Sequence, residues 1–185
     1  MKFKIILVLV LLSWHVNSGA QKVSLSTNLL DYAALGTMNV DVSYAFSRHW
    51  SATAGVRYNP FTFKKDSPQS QFQYRQQSYS AGVRMWPWHI WSGWWFASKV
   101  RYQEYNVGGI LNAETREGDR LGLGLYSGYT HMISRHFNLE FGLGLWGGWD
   151  NYTKYSCPVC GIKIEKGRGG FLLPDDVMVS FVYVF

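Results

Sequence analysis

The sharpest chemical motif in the chain is Cys157-Pro158-Val159-Cys160-Gly161. A Cys-Pro-x-Cys-Gly turn aims backbone N–H groups at sulfur, and knuckles of this kind supply half of a tetrahedral zinc site. The other half needs two further ligands. No third cysteine exists, and His49, His89, His131 and His136 all fall at turns expected on the opposite end of the molecule. An intramolecular metal centre is therefore disfavoured, while a metal shared between two copies and a free dithiol stay open. A local disulfide between Cys157 and Cys160 is the favoured reading, because the chain carries an export signal and an even number of cysteines. It would close a short ring and so shape a loop more than stabilise the fold.

Other catalytic chemistry finds little support. Acyl transfer or hydrolysis asks for a His within reach of a Ser. Ser67, Ser70 and Ser156 fall in stretches expected at the long-loop end, and no His joins them. Asp150, Glu165, Asp175 and Asp176 could do acid–base work or hold calcium, but their spacing matches no ligand loop. GLGLY at Gly122–Tyr126 and GLGLW at Gly142–Trp146 are read as strand glycines that make room for bulky neighbours, with Arg57, Arg84, Tyr126 and Trp146 as candidates. Hence no catalytic, cofactor-binding or metal residue is assigned, and the chain is read as non-enzymatic.

The elements that would position these residues are strands. Val177 to Phe185 places Val177, Val179, Phe181, Tyr183 and Phe185 at every second position up to a terminal Phe. That is the closing-strand pattern of an outer-membrane barrel, where one face meets lipid and aromatics collect at the interface. Seven further stretches alternate in the same way: 22–31, 37–46, 50–61, 77–86, 94–105, 120–132 and 137–149, with the eighth at 176–185. Met38, Val40, Val42, Tyr44 and Phe46 share one face, and Asn39, Asp41, Ser43 and Ala45 the other. Helical spacing fits neither face. Short connections alternate with longer ones at 62–76, 106–119 and 150–175, as expected of periplasmic turns and outer loops. Two turns nearly repeat, FSRHW at Phe46–Trp50 and ISRHF at Ile133–Phe137, and read as one hairpin solution used twice. Trp86, Trp88, Trp91, Trp94 and Trp95 cluster around another short turn, where an interfacial aromatic belt is the favoured reading over a docking patch.

Residues 1–20 read as a signal peptide: Lys2 and Lys4, an apolar run from Ile5 to Leu12, then Ser18-Gly19-Ala20 before a cut at Gln21. Residues 21–185 then form one barrel domain in the cell outer membrane. Losing Lys2 and Lys4 takes the formal charge from +6 to +4. The remaining Lys and Arg form no stripe, which argues against nucleic acid as a partner. A mean hydropathy of −0.13 suits strands with one polar face.

An eight-stranded barrel leaves an interior just wide enough for side chains. The inward positions carry Asp41, Arg57, Arg84, Lys99, Arg101, Arg120, Glu140 and Asp176. Unpaired charge is costly in so narrow a lumen, so these are expected to form a structural ion-pair network rather than a conducting path.

The segments Thr27–Phe63, YNVGGI at Tyr105–Ile110 and YSCPVCG at Tyr155–Gly161 together resemble an outer-membrane β-barrel family of unknown function from Bacteroidota, domain-of-unknown-function family 3575. The resemblance covers nearly all of residues 21–185. The family pattern has Thr-Pro-Asn before the second strand and a Trp after the first Asn-Pro; here Met38 and Phe61 stand at those places. Family members often lie beside fimbrial gene clusters, which implies a role near fimbriae or surface assembly. The expected function is thus a structural or surface-interaction barrel, with an outer-membrane enzyme acting on lipid A or surface glycan, or a small pore, as alternatives. Expected partners are outer-membrane lipid and lipopolysaccharide, the barrel-assembly machinery during biogenesis, and fimbrial or surface-assembly proteins. The basic stretch 150–175 is the expected contact loop.

Overall fold

A computed structural model describes residues 21–33, 35–63, 71–109, 114–157, 159 and 161–185, with the side chains of Asp175 and Asp176 excepted. The signal-peptide reading, Ser67, Ser70 and Cys160 lie outside the described residues. The strands are β1 (Val23–Asn28), β2 (Met38–Ala45), β3 (Trp50–Asn59), β4 (Thr62–Phe63), β5 (Phe72–Met85), β6 (Gly93–Gly108), β7 (Thr115–Met132), β8 (Phe137–Tyr155) and β9 (Lys163–Val184), with one helical turn, α1 (Leu29–Ala33), after β1. All pairings are antiparallel. β1 joins β9, and β3 joins β5, so eight strands close on themselves while β4 continues the line of β3 beside β5. Closure gives every ladder a partner on both sides at mid-height, which an open sheet cannot do.

The alternation in the sequence sorts residues as expected. Met38, Val40, Val42 and Tyr44 are exposed on the outer surface of β2, whereas Asn39, Ser43 and Ala45 are buried in the lumen. β3, β6, β7, β8 and β9 repeat this apolar-out pattern. Exposed aromatics gather at two levels. Tyr44, Trp50, Trp94, Tyr129 and Phe137 lie near the short turns, and Tyr58, Tyr79, Tyr102 and Trp149 lie toward the other end. Trp50 and Tyr58, like Trp94 and Tyr102, are eight residues apart on one strand. At ~3.3 Å per residue this is about 26 Å along the strand.

Several boundaries differ from the sequence reading. The first strand stops at Asn28, not Asp31, because the Asn28 side chain turns the chain into α1: its Oδ1 accepts the Leu30 N–H at 3.2 Å. The stretch 150–175 is mostly not a loop. β8 runs on to Tyr155 and β9 begins at Lys163, leaving a tip of 156–162. Likewise β5 begins at Phe72 and β7 at Thr115. These extensions lack apolar alternation because they rise past the apolar belt, so ladder hydrogen bonds rather than sidedness define them. β1, β2 and β3 do not rise with them, and the barrel wall is tall on one side only.

The two similar turns are built alike. Phe46 and Ser47 donate to Trp50 O, and Ile133 and Ser134 donate to Phe137 O. Ser47 Oγ accepts the His49 N–H at 3.2 Å, and Ser134 Oγ accepts the His136 N–H at 3.4 Å. Each His ring then reaches the end of the next strand: His49 Nδ1 lies 2.9 Å from Trp86 O, and His136 Nδ1 lies 2.9 Å from Val184 O. The histidines therefore satisfy strand-end carbonyls.

Candidate functional site

Among the described residues, buried charged side chains converge in the lumen, and its two ends differ. At the turn end, Trp86 and Trp95 are 0 % exposed and Trp91 is nearly so. The segment between β5 and β6 folds under the barrel, with Trp91 at a positive φ of 66°, and presses this indole edge-on against Trp86 at 5.6 Å. Ala45, Ala97, Tyr126, Met178, Val182 and Val184 complete an apolar plug. Of the five clustered tryptophans, then, Trp86, Trp91 and Trp95 fill the lumen instead of joining an outer belt; Trp88 and Trp94 are exposed. Sequence parity placed Trp95 with inward Lys99 and Arg101, which was the available signal.

Arg84 sits on top of this plug. Its guanidinium stacks 4.2 Å from the Trp95 ring, and its Nη1 donates to both Glu140 carboxylate oxygens at 2.9 Å. Thr130 Oγ1 donates to the same carboxylate at 3.0 Å. The pair is almost fully buried, so each partner is needed to offset the desolvation of the other.

Above it Lys99 Nζ donates to Asp41 Oδ1 at 3.0 Å and lies 5.5 Å from the Tyr126 ring centre. Arg57 pairs with Asp31 at 3.2 Å, an acid that α1 carries inward. Arg101 is buried against the Trp146 ring. Arg120 pairs with Asp150 at 3.2 Å. Asp176 lies on β9, and its side chain is outside the description. The inward glycines leave room for bulky neighbours. A Cβ on Gly124 would strike Tyr126, one on Gly122 would strike Trp146, and ones on Gly128 and Gly142 would meet Trp95.

Asp150 is the acid the sequence reading missed by assigning it to a loop. It is 2 % exposed. It accepts from Tyr105 OH at 2.8 and 3.0 Å, from Arg116 at 2.8 Å and from Arg120 at 3.2 Å. Even-numbered parity from Asn138 and Glu140 through Trp146 already pointed it inward. Beyond this cluster a cavity of about 930 Å³ opens at the long-loop end, ringed by Asn59, Gln76, Tyr105, Gly118, Tyr152 and Gly167. Farther up, Glu165 accepts from Lys154 at 2.7 Å and Tyr152 at 2.8 Å. These contacts hold the Glu165 carboxyl below its ordinary range and raise the Lys154 ammonium.

Cys157 is buried at the tip, and no free thiol occurs among the described residues. Among those residues no group of three or more His, Cys, Asp or Glu is placed to hold a metal ion. Among the described residues no helix is long and apolar enough to cross a membrane, which leaves crossing by strands untouched.

The architecture is that of an all-β, closed eight-stranded antiparallel barrel with a charged, partly plugged lumen. Residues 4–185 match the family described as protein of unknown function (DUF3575), and the chain belongs to it. No curated protein and no solved structure matches the chain.

Proposed function

We propose that this chain is a non-enzymatic outer-membrane barrel that anchors a protruding wall at the cell surface and uses it to contact other surface components. The observation that carries this reading is the asymmetry of the barrel. Its belt of outward apolar residues lies between two aromatic levels, as a lipid-facing surface requires. Its turn end is filled by Trp86, Trp91 and Trp95, which disfavours transport. The polar structure lies in the part of β5 to β9 that rises beyond the belt. Lipid and lipopolysaccharide are the surroundings of this reading, the barrel-assembly machinery is its route of insertion, and fimbrial or other surface-assembly proteins are its partners. A Cys157–Cys160 disulfide shapes the tip; a mobility shift between reduced and oxidised samples, absent in Cys157→Ser, tests it.

The deciding experiment is crosslinking in intact cells with a tag near Asn112, followed by identification of what is captured from the outer membrane. Specific recovery of surface-assembly subunits is the expected result. Recovery of lipopolysaccharide and abundant barrels alone would defeat the interaction reading.

A further inference from the structure

β8 pairs with β9 up to Tyr155↔Lys163, but β1 pairs with β9 only between Ser24↔Val184 and Asn28↔Ser180. From Lys163 to Leu172, β9 is therefore hydrogen-bonded to a strand on one side only among the described residues. A row of backbone N–H and C=O groups on such an edge is a template for another strand. We propose that the Lys163–Leu172 edge docks an extended, acidic segment of a partner protein, which adds to the sheet beside β9. This rests on the surface-interaction reading and names the chemistry of its partner.

Three features of the edge select that occupant. No bulk at Gly169 or Gly170 overhangs an incoming strand: neither carries a side chain, and even a Cβ built on Gly169 would meet nothing within 4 Å, and on Gly170 only an atom 3.8 Å away. Glycine at a strand edge permits this close approach. The stretch is also basic. Lys163, Lys166 and Arg168 outnumber one acid, Glu165, which is already engaged by Lys154 and Tyr152 of β8. Arg168 donates its Nε–H to Asn151 Oδ1 at 2.6 Å, a neutral partner that leaves its charge unbalanced. Finally, Ile164, Lys166, Arg168, Gly170 and Leu172 fall on one face by parity, and Ile164 and Leu172 are exposed. A strand with two acids in the middle of one face and apolar residues at its ends matches that row, since cross-strand neighbours of opposite charge attract. A second copy does not match, because antiparallel self-pairing would set Lys166 and Arg168 against like charges. Lysine on an edge guards against such self-pairing, and the same charges attract an acidic strand.

The test uses the full barrel in detergent micelles and three fluorescent ten-residue peptides: a Val/Glu peptide with one face reading Val-Val-Glu-Glu-Val and Thr at the positions between, the same with two central threonines made proline, and a Lys peptide with Lys in place of each Glu. The Val/Glu peptide is expected to bind and to slow amide exchange across Lys163–Leu172. The proline peptide should bind at least about tenfold more weakly, because proline cannot donate to a ladder. Lys166→Glu with Arg168→Glu should reverse the preference between the Glu and Lys peptides, with heat-modifiable migration confirming that the variant is folded. Equal binding of the proline peptide would reduce the effect to bulk charge and overturn the proposal. So would no binding, or concentration-dependent dimers that protect the same amides. If in-cell crosslinking captures a partner while the peptides fail, the interaction reading stands and the assignment to this edge falls.

Discussion

The two halves of the lumen hold their charges by different means. At the turn end one ion pair, Arg84–Glu140, rests on Trp86 and Trp95 and is almost fully shielded from solvent. At the loop end Asp150 gathers Arg116, Arg120 and Tyr105 at the floor of an open cavity, and Arg116 is partly exposed. The first arrangement is rigid because loss of either partner strands a buried charge. The second can rearrange, because water reaches its rim. The contrast places the barrel's mechanical strength at the turn end and its room for variation at the loop end, where partners would meet it.

The largest effect should come from breaking the plug itself. Replacing Trp86 and Trp91 by alanine removes two interlocked indoles, each costing roughly 3–5 kcal/mol by comparison with other core truncations, with some of that shared between neighbours. Urea unfolding should show this loss. If the plug is what blocks passage, planar-bilayer recordings should show new conductance steps in the double variant and none in the parent. Steps in the parent would instead place the barrier elsewhere.

Next comes the buried pair. Glu140→Ala leaves the Arg84 guanidinium without its carboxylate, and should destabilise the barrel by about 3–5 kcal/mol. Asp150→Asn tests the other half. It keeps an acceptor for Tyr105 OH but removes the charge between two arginines, and a loss of about 1–3 kcal/mol is expected because Arg116 can turn to water. The same unfolding assay should rank Glu140→Ala well above Asp150→Asn. Equal losses would erase the distinction between a sealed and an open half.

Much of this contrast was legible in the residues. Period-two alternation placed Asp41, Arg57, Arg84, Lys99, Arg101, Arg120 and Glu140 on inward positions, since sidedness follows from the pleat alone. The terminal Phe strand and the paired SRH turns also followed from local pattern. What alternation could not show was where strands continue without an apolar outward side. Asp150 and Arg116 were lost for that reason, as were Lys163 to Leu172, whose ladder partner is set by β8 and not by their own sequence. Asp31 was misplaced because a strand pattern runs through it, and the Asn28 cap overrides that pattern. Trp91 was missed because its entry into the lumen depends on a left-handed backbone that residue type does not announce.

The smallest expected effect concerns the hairpin above the belt, and it extends the comparison to partly exposed groups. Glu165 is held below its ordinary pKa by Lys154 and Tyr152, so their contact contributes order at pH values above the unfolded carboxyl value of about 4.5 and loses it as pH falls through the lower folded value. Lys154 is raised by Glu165, so on the alkaline side the contact is complete below about 10.5 and is lost as pH rises through the higher folded value. Amide-exchange protection at Thr153–Tyr155 and Lys163–Lys166, taken relative to the unstructured rate at each pH, should therefore be highest between these limits. It should fall at both extremes while the barrel's urea midpoint stays fixed. Glu165→Gln should flatten the acid limb without altering Arg84–Glu140. A shift of the whole barrel's midpoint along with the tip would mean that the wall and the plug unfold as one unit, and the two-part division of the molecule would fail.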